Sequence, residues 1–143
     1  MSKSFDILLV EDNEADAFLM QEAFAESRYR INLSTVGDGV EAVEFLRRNG
    51  RFAEAPRPDL IMLDLNMPKK DGRQVLSEIK NDDDLKVIPV IILTTSESEA
   101  DVALSYSSHA SCYITKPMGL EEMYRIIRSI EDYWFSVVRL PQK

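Results

Sequence analysis

Four short apolar runs, far apart in the chain, each stop at a functional group. Leu8-Leu9-Val10 leads into Glu11-Asp12, Leu60-Ile61-Met62-Leu63 into Asp64, Val90-Ile91-Ile92-Leu93 into Thr94, and Cys112-Tyr113-Ile114-Thr115 into Lys116-Pro117. Runs so short and so apolar suit strands buried on both faces, as in a parallel sheet covered by helices. If the strands run parallel, their endings meet along one edge. Three carboxylates, a hydroxyl and an ammonium would then share a corner.

Helical patterns fill the gaps between the runs. Phe5 to Val10 reads as the first strand. A helix follows from about Glu14 to Glu26, which Asn13 can cap, with Ala17, Phe18 and Phe24 available for its buried face. Ile31 to Val36 alternates apolar and polar residues, as an edge strand does. Asp38 to Arg48 is helical, with Val40, Val43 and Leu46 at helical spacing. A loop containing Gly50, Pro56 and Pro58 leads to the third strand. Asp71-Gly72 opens a third helix with Val75, Leu76 and Ile79 facing inward.

Pro89 begins the fourth strand, and Ser96-Glu97-Ser98-Glu99 fits a capping box for the next helix. That helix is rich in serine and should be held less firmly than its neighbours. The last helix runs over about residues 119–138. The alternation predicts an α/β fold, a doubly wound five-stranded parallel sheet with five helices, with ligands bound beyond the carboxyl ends of its strands.

Composition narrows the function. The chain has 143 residues and a net charge of −8. That is one domain's worth of residues, with too little basic surface to neutralise nucleic-acid phosphates. No run approaches the roughly 20 apolar residues of a membrane span. Met1-Ser2-Lys3 shows no signal-peptide pattern, and the lone Cys112 excludes an internal disulfide. These features point to a soluble cytoplasmic protein with no nucleic-acid or membrane partner.

Two carboxylate charges about 5 Å apart repel by roughly 3 kcal/mol at an effective dielectric near 20. Gathering Glu11, Asp12 and Asp64 in one corner therefore requires cations. Lys116 is one, and a hard divalent ion such as Mg2+ is the other. A carboxylate so placed can attack phosphorus and form an acyl phosphate. Lys116 and the Thr94 hydroxyl would answer the charge on the moving phosphoryl group. No Gly-x-x-x-x-Gly-Lys loop is present, so the donor would be a protein or a small acyl phosphate rather than a cradled nucleotide. One alternative is a Mg2+-dependent phosphotransferase or phosphatase that uses Asp64 as nucleophile on small molecules.

Glu11-Asp12, Asp64, Thr94 and Lys116-Pro117 resemble the acidic pair, phosphoacceptor, hydroxyl and lysine of the response-regulator receiver domain of two-component signalling. The resemblance spans about Phe5 to Ile130. A narrower likeness is to the phytochrome-associated single-domain regulators. It is carried by the stretch from Leu63 to Arg73, by Leu93-Thr94-Thr95-Ser96, by Cys112 to Pro117 and by the tail Tyr133 to Val138.

The resemblance implies a flavodoxin-like strand order 2-1-3-4-5, a single receiver domain over residues 1–143, and phosphorylation of Asp64 by a sensor histidine kinase of the phytochrome type. It implies Mg2+ held by Asp12, Asp64 and the Asn66 carbonyl, with Glu11 acting mainly through water. It implies a cis Lys116–Pro117 bond, and Tyr113 as a switch that follows Thr94 inward. It places Asn66 and Ser96 beside the route of a hydrolytic water. Output would be binding to an unidentified downstream protein.

Other features read as structural. Gly37-Asp38-Gly39-Val40-Glu41-Ala42 has the shape of a dinucleotide-binding turn. It follows the second strand, at the sheet edge, and would leave Glu11, Asp12, Thr94 and Lys116 idle. Cys112 reads as a small core hydrophobe, His109 as a surface residue, and Asp82-Asp83-Asp84 as a solvated turn.

In the last helix, Leu120, Met123, Ile127, Ile130, Trp134 and Val137 form one stripe that can pack on the sheet. A helix of this length spans roughly 30 Å and should overhang it. Ile126, Tyr133, Trp134, Phe135 and Val138 at the aromatic end are expected to form a self-complementary homodimer surface.

Overall fold

The computed structural model describes residues 3–142; Met1 and Ser2, part of the segment read for a signal peptide, lie outside them. Its strands are β1 (Ser4–Val10), β2 (Arg30–Val36), β3 (Leu60–Leu63), β4 (Val90–Thr94) and β5 (Cys112–Thr115). Its helices are α1 (Glu14–Ala25), α2 (Gly39–Arg47), α3 (Gly72–Lys80), α4 (Glu99–Ser107) and α5 (Leu120–Asp132). The strands pair in parallel in the order β2-β1-β3-β4-β5, the doubly wound arrangement the alternation predicts.

The apolar runs become strands because both of their faces are covered. Successive side chains point to opposite faces of a strand. Ile7, Leu9, Leu60, Met62, Ile91 and Leu93 enter one core with Met20 and Phe24 of α1 and Met123 and Ile127 of α5. Leu8, Val10, Ile61, Leu63, Val90 and Ile92 enter the other, with Phe45 of α2 and Leu76 and Ile79 of α3. Cys112 packs with the first core and Tyr113 with the second, as neighbours on one strand must.

Several expectations are corrected. Phe18 is 61% exposed, because α1 buries Ala17, Met20, Ala23 and Phe24, and Phe18 lies about 100° round the helix from Ala17. Val40 is also exposed, while α2 buries Val43 as its spacing suggests, together with Ala42 and Phe45. The cap of α4 is Ser98, whose hydroxyl accepts from Asp101 N at 3.3 Å, not Ser96. The final helix is α-helical only to Asp132 and widens into a π-helical turn at Tyr133–Val137.

That turn brings the chain back against the domain instead of overhanging it. Phe135 stacks on Phe5 at 4.1 Å between ring centroids and meets Tyr29 edge-on at 5.7 Å. Of the stripe, Met123, Ile127 and Ile130 are buried, while Leu120 and Val137 at its ends are exposed. Among the described residues, no helix is long and apolar enough to cross a membrane.

Candidate functional site

Parallel register carries the strand ends to one edge. Val10 pairs with Leu63, and Thr94 pairs with Thr115. The residues that follow the strands are fixed by continuing the ladder. Glu11 N donates to Val36 O at 3.0 Å, Asp64 N to Val10 O at 3.1 Å, and Lys116 N to Thr94 O at 2.7 Å. Glu11, Asp64, Thr94 and Lys116 are all buried, and Asp12 is exposed at the rim.

The Lys116 ammonium is the hub. Its Nζ lies 2.6 Å from Glu11 Oε1, 2.9 Å from Asp16 Oδ2 and 3.0 Å from Asp64 Oδ2. Asp64 Oδ1 accepts from Asn66 N at 3.1 Å, and Glu11 Oε2 accepts from Asn13 N at 3.1 Å. Among the described residues no peptide bond is cis, so the expected cis bond before Pro117 is corrected to trans. The lysine needs no such bond to reach the site. Its backbone is pinned to Thr94, and three carboxylates draw in its ammonium.

The charges respond to burial. Burial pushes the Glu11 carboxyl up to about 7, and the Asp64 charge adds to that, against the pull of Lys116. Burial also opposes ionisation of Asp64. The nearby Thr94 hydroxyl and Lys116 ammonium outweigh it, so Asp64 lies below the usual carboxylate range and stays ionised. Burial disfavours the Lys116 charge, but hydrogen bonds to Glu11, Asp16 and Asp64 more than compensate and raise its pKa. Thr94 Oγ1 is fully buried and near enough to Asp64 to favour its charge, but no hydrogen bond of good geometry is closed to it. Leaving such a group unpaired costs about 1–3 kcal/mol, which a ligand oxygen at this spot would recover.

Ligand oxygens of Glu11, Asp12 and Asp64 lie within 4.8 Å of one another. Glu11, Asp16 and Asp64 share one ammonium, and Asp12 adds a fourth carboxylate at the exposed rim. Hard oxygen donors in excess of positive charge suit Mg2+, Mn2+ or Ca2+ rather than a soft metal. The residues present therefore fit a divalent cation.

Two glycines let the framework close on this site. A Cβ on Gly72 would strike the Asp64 carbonyl and Leu65 Cα, so only glycine lets α3 abut the loop after β3. A Cβ on Gly39 would strike the Lys70 carbonyl, which gives the Gly-x-Gly motif a packing role. Asp38 of that motif caps α2, accepting from Glu41 N at 2.8 Å.

Asp16 was not legible from the pattern. It stands in the first turn of α1, where an acid simply complements the helix dipole. A second group was also missed. Arg73 Nε and Nη2 donate to Asp101 Oδ1 and Oδ2 at 2.8 and 2.7 Å, and Ser96 Oγ donates to Asp101 Oδ2 at 2.7 Å. The Tyr113 hydroxyl donates to Ser96 O at 2.8 Å, and Tyr113 N donates to the Tyr106 hydroxyl at 3.2 Å. Such long-range polar contacts leave no local spacing signal.

Comparison with known proteins matches residues 7–128 to the family described as the response regulator receiver domain. Response regulator Rcp1 of Synechocystis sp. is 49% identical over 135 residues, which cover 94% of this chain and 92% of that protein. The crystal structure of the phosphorylated cyanobacterial phytochrome response regulator RcpA superposes with a TM-score of 0.94 at 51% identity, covering 98% of this chain and 100% of that one. The Mn2+-bound form of response regulator Rcp1 gives 0.92 at 48% identity, covering 96% and 99%.

Proposed function

This chain belongs to the response regulator receiver family, and from that premise we propose that Asp64 accepts a phosphoryl group from a phytochrome-type sensor histidine kinase, with Mg2+ as cofactor. The protein then signals in the cytoplasm by changing which partner it binds. The observation that carries this reading is the buried, ionised Asp64 held 3.0 Å from Lys116 Nζ, beside the unpartnered Thr94 hydroxyl. The phytochrome link rests on the likeness to RcpA and Rcp1.

In the transfer an Asp64 oxygen attacks the phosphorus of a phosphohistidine. The new P–O bond forms as the P–N bond breaks, and the electron pair returns to the imidazole. The moving group spreads charge over three equatorial oxygens, which need fixed positive charge and donors. Lys116 and the Thr94 hydroxyl are placed to supply these. Asp12 and Asp64, with the Asn66 carbonyl, would hold Mg2+, Glu11 reaching it through water; when bound, the ion neutralises phosphoryl oxygens. Movement of Thr94 toward the new group would relax the loop that carries Ser96 and free Tyr113 to shift.

Labelling with acetyl phosphate and Mg2+ tests the assignment. The phosphoryl group should appear on Asp64 by mass spectrometry and vanish in Asp64→Asn. Undiminished labelling of that variant at another residue would refute it.

The receiver is further proposed to work as a homodimer through the end of α5. Cys112, Ile114, Ile126, Ile130, Tyr133 and Trp134 line an apolar groove of about 340 Å3. Phe135, which packs on Phe5, contributes through its own domain rather than as a free surface ring. The contact therefore centres on Ile126, Tyr133 and Trp134, with Val138 in the adjoining groove past Trp134 and Phe135. Trp134→Ala should lower the sedimentation coefficient toward that of a monomer. Wild-type protein that is already monomeric at tens of micromolar would exclude the dimer.

A further inference from the structure

The geometry points to Asp16 as the counter-charge that lets Lys116 and a divalent cation share the acceptor site, so that Asp16 sets metal affinity without ligating the ion. This rests on the ion being held by Asp12 and Asp64, and it adds a positioning residue to that site.

An ammonium carries three N–H donors and accepts nothing. Lys116 Nζ has three carboxylate partners, Glu11 Oε1 at 2.6 Å, Asp16 Oδ2 at 2.9 Å and Asp64 Oδ2 at 3.0 Å. Its donors are therefore fully assigned. Glu11 and Asp64 also belong, with Asp12, to the trio whose oxygens converge within 4.8 Å, and Asp16 does not. The lysine and the ion thus draw on the same two carboxylates, whereas Asp16 serves the lysine alone.

Two cations that share partners oppose each other. Each contact of Lys116 with Glu11 or Asp64 lowers the negative potential an ion would meet, and the charges of the ion and the ammonium repel. Without Asp16 the whole lysine charge would fall on Glu11 and Asp64. With it, one donor and part of that charge are turned toward α1. As Asp64 is drawn to the ion, the ammonium keeps an anionic partner outside the metal group. Removing the Asp16 charge therefore acts twice in one direction. It deletes a negative charge near the ion, and it returns Lys116 to the ion's own carboxylates.

The start of α1 fixes Asp16 in this place. Asp16 N donates to the capping oxygen Oδ1 of Asn13 at 2.9 Å, and Asn13 N donates to Glu11 Oε2 at 3.1 Å. One capping residue thus sets both Glu11 and Asp16 relative to Lys116. Glu14 stands in the same first turn but is exposed, and the lysine's ion pairs do not include it. The helix dipole favours an acid at either position. Glu14 therefore reports what a charge at this helix end does without the lysine.

The test titrates the unphosphorylated full chain with Mn2+, reading the electron paramagnetic resonance signal of the free ion, and then displaces it with Mg2+. Asp16→Asn keeps the shape of the side chain and should weaken binding of both ions roughly fivefold, the upper scale of a partly exposed charge pair. Asp16→Glu restores the charge and should return affinity toward the wild-type value. Glu14→Gln should change affinity by about twofold or less, because solvent screens it. In a Lys116→Met background there is no ammonium to hold, and Asp16→Asn should then cost about twofold or less. Unchanged or tighter binding in Asp16→Asn overturns the proposal. So does an equal loss in Glu14→Gln, or a loss that persists undiminished without the lysine. Should Lys116→Met fail to fold, the comparison of Asp16→Asn with Glu14→Gln and Asp16→Glu decides alone. Binding that survives Asp12→Asn intact would instead overturn the metal assignment itself.

Discussion

Helices α3 and α4 are each nine residues long and follow neighbouring strands, yet different forces hold them. α3 buries Val75, Leu76 and Ile79 to 1% exposure or less and begins with a full capping box between Asp71 and Gln74. α4 buries only Ser105 and depends on contacts from Arg73 and Tyr113. Apolar burial is non-directional and hard to release in steps. A few directional polar contacts can be exchanged by a local change of charge. Asp64 is thus set against the firm helix and Ser96 against the loose one.

Core truncation probes the comparison with the largest expected effect. Leu76→Ala in α3 should destabilise the fold by about 2–5 kcal/mol, through lost burial and the cavity left behind. Leu104→Ala in α4 should stay within about 0.5 kcal/mol, as an exposed substitution does. Urea unfolding of both variants reads the difference, and equal losses would break the comparison.

The firm half also bears the electrostatic strain. The folded Glu11 carboxyl lies at about 7 against an ordinary 4.5. Below the ordinary value both states hold the proton and burial costs nothing extra. As pH rises from there, the unfolded chain releases its proton first, so stability falls by up to about 3 kcal/mol and levels off above 7. Mg2+ should stabilise the protein more at about pH 8 than at about pH 5, because it favours the ionised carboxyl. Calorimetric melts with Mg2+ and with a chelator should show that divergence; parallel curves would deny that Glu11 is strained.

The smallest effect belongs to α4. The Arg73 guanidinium and Ser96 hydroxyl hold Asp101 at about 2, below the ordinary 3.8. The folded value is the lower one, so the stabilisation is full above the ordinary value and disappears as pH falls from there toward 2. Amide NMR shifts of α4 should move in that window before those of α3.

The firm half was legible in the sequence, and the loose half only partly. Leu60 to Leu63 and Val90 to Thr94 announce strands covered on both faces, and their endings locate Glu11, Asp64, Thr94 and Lys116. Asn13 was recognisable as a cap because capping depends on immediate neighbours. The serine content of α4 foretold its weak hold, but not that its cap would be Ser98 or that Ser96 would turn to Asp101. Asp16 and Arg73 meet partners 100 and 28 residues away, and no local pattern encodes such pairs. Phe18 and Phe135 show the limit of periodicity. It marks helical apolar residues, but what covers them is decided by packing elsewhere in the chain.

Hydrogen exchange with and without beryllofluoride and Mg2+, a stable mimic of the phosphoryl group, tests the contrast between the helices most directly. With binding confirmed, the account predicts that exchange changes in the peptides spanning Ser96 to Ser108, while those spanning Gly72 to Lys80 stay as they were. A change of equal size in both helices, or one confined to α3, would contradict it.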